Sequence, residues 1–161
     1  MKKRVKLFAS NIVILIMVLG GCASQQEESI HEKHETMGGD IQEETHSVED
    51  LPNFLNDKDE NMQLIYTSAA KSEELLKYIP CYCGCGDSAG HENNLNCFVH
   101  EIKDEKIVWD DHGTKCQVCI DIAAEAIVKY NKGQAIKDIR DDIDAKYKEG
   151  YAKPTPTPMP S

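Results

Sequence analysis

Apolar residues recur along this chain with the period of a helix in three places and with the character of strands in one. Met62, Ile65, Tyr66 and Ala69 stand at successive helical positions and predict one amphipathic helix. Ser72 is placed to cap a short second helix through Glu73, Glu74, Leu75, Leu76 and Ile79, which Pro80 ends. Further on, Ile120, Ala123, Ala124 and Ile127 form another stripe, broken at Asn131-Lys132-Gly133, where Gly133 suits a left-handed cap. A last helix from Gln134 to about Lys148 puts Ile136, Ile139, Ile143 and Tyr147 on one face. Between these, Cys97 to Ile102 and Ile107 to Trp109 are β-branched and aromatic around a polar Lys103-Asp104-Glu105-Lys106 turn, which predicts a short hairpin. The expected fold class is mainly α: a small helical domain with an irregular Cys/His-rich segment and a short β-hairpin. With three phenylalanines and one tryptophan, so small a core calls for a staple of metal or disulfide.

Both ends of the chain lack that periodicity. Residues 1–22 read as an export signal: Lys2, Lys3, Arg4 and Lys6 precede an apolar run from Leu7 to Leu19, too short to span a bilayer comfortably. The run closes on Leu19-Gly20-Gly21-Cys22, which resembles the lipobox of bacterial lipoproteins. That resemblance implies cleavage before Cys22 and a diacylglycerol on its thiol, with palmitate among the acyl chains, and two chains anchor stably where one does not. Residues 23–60 carry twelve acidic and two basic residues, and read as an acidic disordered tether. His31, His34, His46 and Met37 lie in it with nothing to hold ligand geometry. Residues 152–161 read as an extended Pro/Thr-rich tail with no core to join. The body is then residues 61–151, one small Cys-rich domain.

Anchoring by Cys22 places the mature chain on the outer face of the bacterial cytoplasmic membrane, where disulfides are permitted. The signal holds four of the 18 basic residues and none of the 28 acidic ones, so the mature chain has 14 against 28 and a net charge of −14. A surface of that sign repels nucleic acid and anionic headgroups and favours cations. The expected partners are the membrane, through the lipid, and a metal ion.

The chemistry is concentrated between Pro80 and Cys119, which hold six of the seven cysteines and three of the six histidines. Cys81, Cys83 and Cys85 alternate with Tyr82 and Gly84, so an extended backbone would point three sulfurs to one side, as a claw for a soft ion. Cys97 stands alone. Cys116-x-x-Cys119 sits where a helix is predicted to begin, and the amides there favour thiolate, for metal binding and for disulfide exchange alike, against the opposing charges of Asp110, Asp111 and Asp121. His91 follows Gly90 in a polar loop, and His112 stands in Asp-His-Gly, where Asp111 is placed to orient it. His100, inside the predicted strand, is the weakest candidate. Long-range disulfides such as Cys97 to Cys116 remain open, and with them a disulfide-stapled interaction module.

Pro80-Cys81-Tyr82-Cys83-Gly84-Cys85-Gly86, with Gly90-His91, Cys97-Phe98-Val99, His112-Gly113 and Cys116-x-x-Cys119, resembles the bacterial lipoproteins named for their Pro-Cys-Tyr-Cys-Gly-Cys motif. The family is functionally undefined, so the resemblance supports the lipoprotein assignment and the grouping of these residues without implying an activity. A fainter similarity links Cys116-x-x-Cys119, the helix after it, Gly133 and the last helix to thiol proteins of cytochrome c maturation. This chain lacks their Leu-Arg before the first cysteine and carries four further cysteines.

The leading expectation is a soft-metal module for trafficking, storage or detoxification, not an enzyme. In it Cys81, Cys83, Cys85, Cys97, Cys116 and Cys119, helped by His91 and His112, hold copper as Cu(I) or zinc as Zn(II). The alternative is a thiol-disulfide oxidoreductase using Cys116 and Cys119, working with a thiol-redox partner as the first would with a metal-transfer protein. Nothing supports a hydrolase: the chain has no Ser-His-Asp pattern, no Gly-rich phosphate loop and no His-Glu-x-x-His.

Overall fold

The computed structural model describes residues 33–160 apart from Met37 and Glu105. The export signal, Cys22 and His31 lie outside the described residues.

Among the described residues four strands form one antiparallel sheet: β1 (Lys33–Glu35), β2 (Ile41–Thr45), β3 (Val99–Lys103) and β4 (Lys106–Asp110), in the order β1-β2-β4-β3. The expected hairpin is present as β3 and β4, turning at Asp104 with φ 49°. The sheet around it corrects the mainly α expectation, because the fold is mixed α and β. It also corrects the reading of residues 33–60 as tether. Gln42 to Thr45 pair with Asp110 to Ile107 down the length of β4.

Hydropathy does not reveal β2 because its inward positions are polar and held by specific partners. Glu43 is 1% exposed and accepts hydrogen bonds from Asn53 N and Asn53 Nδ2, both at 2.7 Å. Thr45 Oγ1 accepts from the buried Trp109 Nε1 at 2.8 Å. The hydrogen bonds at Glu43 Oε1 and Thr45 Oγ1 offset part of the cost of taking these groups out of water.

Five α-helices join the sheet among the described residues: α1 (Glu60–Ala70), α2 (Glu73–Leu76), α3 (Cys85–Ser88), α4 (Gln117–Asn131) and α5 (Ile136–Tyr147). Asp59 caps α1 by accepting from Asn61 N and Met62 N. Tyr66 and Ala69 of the predicted stripe are buried, and Met62 and Ile65 half-buried. Tyr66 joins α1 to the sheet: its ring meets Phe98 edge to face at 5.2 Å, and its hydroxyl donates to Asp110 O at 2.8 Å. Ser72 makes no side-chain cap and α2 is a single turn. In α4 the buried line runs Cys119, Ile122, Ala123, Ala126 and Ile127, so the face is turned relative to the predicted stripe and Ile120 and Ala124 are only half-buried. Among the described residues no helix is long and apolar enough to cross a membrane.

The Pro/Thr-rich tail was expected to join no core, and it does join one. Ala152 N donates to Tyr82 O, Thr155 N donates to Cys81 O, and Cys81 N donates to Thr155 Oγ1 at 2.9 Å. Thr155 and Thr157 are buried. A single short stretch of chain thus runs beside the first cysteines of the motif and holds their backbone.

Candidate metal centre

The three motif cysteines converge, but by a turn and not by extended alternation. Gly84 has φ 91°, a conformation costly for any residue with a Cβ, and this reverses the chain so that Cys85 begins α3. Tyr82 points away from the sulfurs, stacking on Tyr147 and donating its hydroxyl to Asp144 Oδ1 at 2.7 Å. Cys116 occupies the N-cap of α4 and Cys119 the first buried position along it. Cys97 ends a 3₁₀ turn at Leu95–Cys97, and His112 lies in another at Asp111–Lys115.

These elements bring all eight predicted donors into one cluster. Cys81 Sγ lies 3.2 Å from Cys119 Sγ and 3.4 Å from Cys83 Sγ, and Cys119 Sγ lies 3.5 Å from Cys83 Sγ. Cys85 and Cys97 sulfurs are 3.8 Å apart, His91 Nδ1 is 3.5 Å from Cys97 Sγ, and His112 Nε2 is 3.8 Å from Cys83 Sγ. The two imidazole rings meet edge to face at 4.8 Å. The six described cysteines are free thiols, so no disulfide staples the body among the described residues. His100 stays out of the cluster: it is exposed where the register of β3 slips between Val99 and Glu101.

Protonation within the cluster is unequal. A hydrogen bond from Cys119 draws the Cys81 thiol down to about 4. Cys83 is pulled far below the usual thiol range by Cys116 and then Cys119. Cys119 is pushed up by Cys116 and Cys81, and Cys97 by burial. For Cys85, a lowering bond from Cys119 is outweighed by those with Cys81 and Cys83, and the thiol is raised. His112 is raised to about 11 by its contacts with Cys116 and Cys83, which outweigh burial, with Asp40 adding to them. Burial lowers His91. Cys81 and Cys83 are thus drawn toward thiolate and His112 toward imidazolium, while Cys85, Cys97 and Cys119 are held toward the protonated form.

Asp40 was not expected at the site. Its Oδ2 lies 3.0 Å from His112 Nδ1 and its Oδ1 accepts from Lys115 Nζ at 3.1 Å, while Asp111, the expected partner, accepts instead from Ile41 N and Lys115 Nζ, both at 2.8 Å. Burial would raise the Asp40 carboxyl, but hydrogen bonds from His112 and Lys115 hold it below the usual range. The signal for Asp40 was Gly38-Gly39, which makes the turn between β1 and β2: Gly39 N donates to Thr36 O and Thr36 N to Asp40 O. A cleft of about 410 Å³ lined by Asp40, His91, Glu92, His100 and Asp110 lies against the His91 side of the cluster.

The donor set fits a soft ion. Four thiolates on one zinc at about 2.3 Å would stand about 3.8 Å apart. The observed sulfur separations of 3.2 to 3.8 Å approach that edge, so small outward movements would suffice. Cys81, Cys83, Cys85 and Cys119 form one group that could hold a metal ion; Cys83, His112, Cys116 and Cys119 form a second; Cys85, His91, Cys97 and His112 form a third. Hard cations would need oxygen in place of this sulfur.

Residues 11–160 match the model of a family described as protein of unknown function with PCYCGC motif. Neither a curated protein nor a solved structure matches the chain.

Proposed function

The chain belongs to the family of proteins with the PCYCGC motif, and from the site that this motif builds we propose that it binds soft metal ions, Cu(I) or Zn(II), outside the cytoplasmic membrane. The observation that carries this is the meeting of six thiols and two imidazoles from separate elements in one largely buried cluster. Unpaired thiols massed in this way have no packing role that smaller apolar residues would not fill better, and soft ions are what thiolates and imidazoles select. In this reading His112 presents Nε2 to the ion while Nδ1–H is held by Asp40, and the ion displaces the proton on His112 and those on the raised thiols. Cations arrive along the acidic cleft beside His91. Lipidation of Cys22 holds the chain at the outer face of the membrane for trafficking, storage or detoxification, and the ten residues 23–32 before β1 reach at most about 35 Å.

The purified full chain, reduced and kept free of oxygen, is expected to remove Cu(I) or Zn(II) from a chromogenic chelator. Failure to compete for either ion would end this reading. A thiol-disulfide function has one observation in its favour, the half-exposed Cys116 at the N-cap of α4. Against it, Cys119 is wholly buried and holds its proton, and the sheet is antiparallel with no βαβ unit around the pair. Turnover of Cys116 and Cys119 against a thioredoxin-type protein, in a chain that binds no ion, would reverse the choice.

A further inference from the structure

We propose that the centre holds a cluster of soft ions bridged by the sulfurs of Cys83, Cys85 and Cys119, and not a single ion. This rests on the soft-metal reading above and concerns how many ions the same residues take.

The geometry sets the count. Among the described residues the cluster's eight donors fall into three groups whose ligand atoms all lie within 4.8 Å of one another, and none of the three holds more than four. Two sulfurs on one ion at about 2.3 Å can be no more than about 4.6 Å apart, so one ion draws on one group of donors as they stand. One ion at any group leaves four of the eight donors idle.

The groups overlap in a specific way. Cys83 and Cys119 belong to the first two, Cys85 belongs to the first and third, while Cys81 and Cys116 stand at one end and His91 and Cys97 at the other. A thiolate has lone pairs to serve two ions at once. An imidazole nitrogen serves one, and His112 has only Nε2 to give because Nδ1 faces Asp40. The shared residues are thus cysteines wherever bridging is required, with His112 going to the second or the third group. Whichever takes it, the other is left with three donors, a number that Cu(I) accepts.

Charge leads the same way. The four thiolates of the first group around one divalent ion would leave two negative charges where Cys81, Cys85 and Cys119 are buried. Each further cation removes part of that cost.

The test is native mass spectrometry of the full chain, reduced and titrated separately with Zn(II) and with Cu(I) delivered as its acetonitrile complex, read on whichever ion binds in greater number. More than one ion at saturation is expected, with a metal–metal scattering shell in X-ray absorption. Cys97→Ser should lose one ion from the His91 end and keep the rest, and Cys116→Ser should keep the ion at the His91 end. Saturation by one ion in the wild-type chain, or several ions without a metal–metal shell, would overturn the cluster while leaving soft-metal binding intact. No ion at all would overturn both. Because the stoichiometry and the scattering are read on the wild-type chain, a variant that fails to fold does not remove the test.

Discussion

Asp40 and His112 lie 72 residues apart and meet at 3.0 Å, carboxylate to ring nitrogen, so that β2's leading turn fixes the ring of a donor at the far end of the Cys/His segment. A carboxylate behind a ligating imidazole sets its tautomer and strengthens its other nitrogen as a donor. Asp40→Asn is expected to lower metal affinity about 10- to 100-fold, the range for loss of such a partner. Asp111→Asn should change affinity far less, since Asp111 accepts from Ile41 N and Lys115 Nζ and not from His112. Chelator competition on both variants decides it: equal losses would mean that the carboxylates act only through general charge.

Gly113 joins His112 to the Cys97 side of the cluster by close contact. A Cβ there would stand 2.7 Å and 2.8 Å from the Phe98 ring and 2.9 Å from Cys97 O. The backbone oxygen cannot move aside cheaply, and the ring is locked against Tyr66. Gly113→Ala is expected to destabilise by about 1–3 kcal/mol, the usual cost of overfilling a packed site. Chemical denaturation of the metal-free chain measures this. Wild-type stability would show that Phe98 has room to yield.

How much of this was legible depends on what each residue contributes. Tyr66, Ala69, Ile139, Ile143 and Tyr147 bury apolar surface at helical spacing, and the helices were readable from that spacing. The eight site residues were readable because cysteine and histidine are conspicuous in any setting. Glu43, Thr45, Asp40 and Thr155 were not, because each is polar and buried, and is held there by a partner distant in sequence. Hydropathy scores such residues as solvated, so β2 passed for tether and the threonines for tail. The turn of α4 was hidden for a related reason: Cys119 counts as chemistry in the sequence, yet it leads the buried face of the helix.

Away from the site, Glu125 ties α4 to α5. It pairs with Lys146 of α5 and lies 2.9 Å from Lys129, which also reaches Asp142 at 2.9 Å. Burial would raise its carboxyl, but the hydrogen bonds from Lys146 and Lys129 prevail and the pKa is lowered from 4.5. A carboxyl depressed by folding contributes stability that is present above its unfolded pKa and lost as pH falls through the folded one. The pairing should therefore help in full above about pH 4.5, weaken below it and be lost as pH falls through the lower folded value, and Glu125→Gln should flatten this part of the acid limb by no more than about 1 kcal/mol, as for other partly exposed pairs. Thermal melts of both proteins between neutral and acid pH test it; parallel curves would mean the pairs contribute nothing net.

The Pro/Thr tail acts on the cluster through one residue. Thr155 satisfies both backbone groups of Cys81: its amide donates to Cys81 O at 3.0 Å and its hydroxyl accepts from Cys81 N at 2.9 Å. The same hydroxyl lies 2.8 Å from that of Thr157, which donates to Glu92 O, next to His91. Arg140 fastens the far side, its Nη1 donating to Tyr78 O at 3.0 Å and to Pro158 O at 3.2 Å while Nε meets Asp144. The tail therefore bridges the Cys81 and His91 ends of the site, and the first sulfur of the motif is held no more firmly than this strap. Thr155→Val keeps the volume but leaves a buried amide without an acceptor, an expected cost of about 1–3 kcal/mol. It should also speed transfer of bound metal to a chelator. Thr155→Ser should restore most of both, because the hydroxyl is what Cys81 uses, and truncation after Tyr151 should act in the same direction as the valine variant and further. The rate of metal transfer is the decisive reading, since a tail that only rode on the surface would alter stability or nothing and leave that rate at its wild-type value.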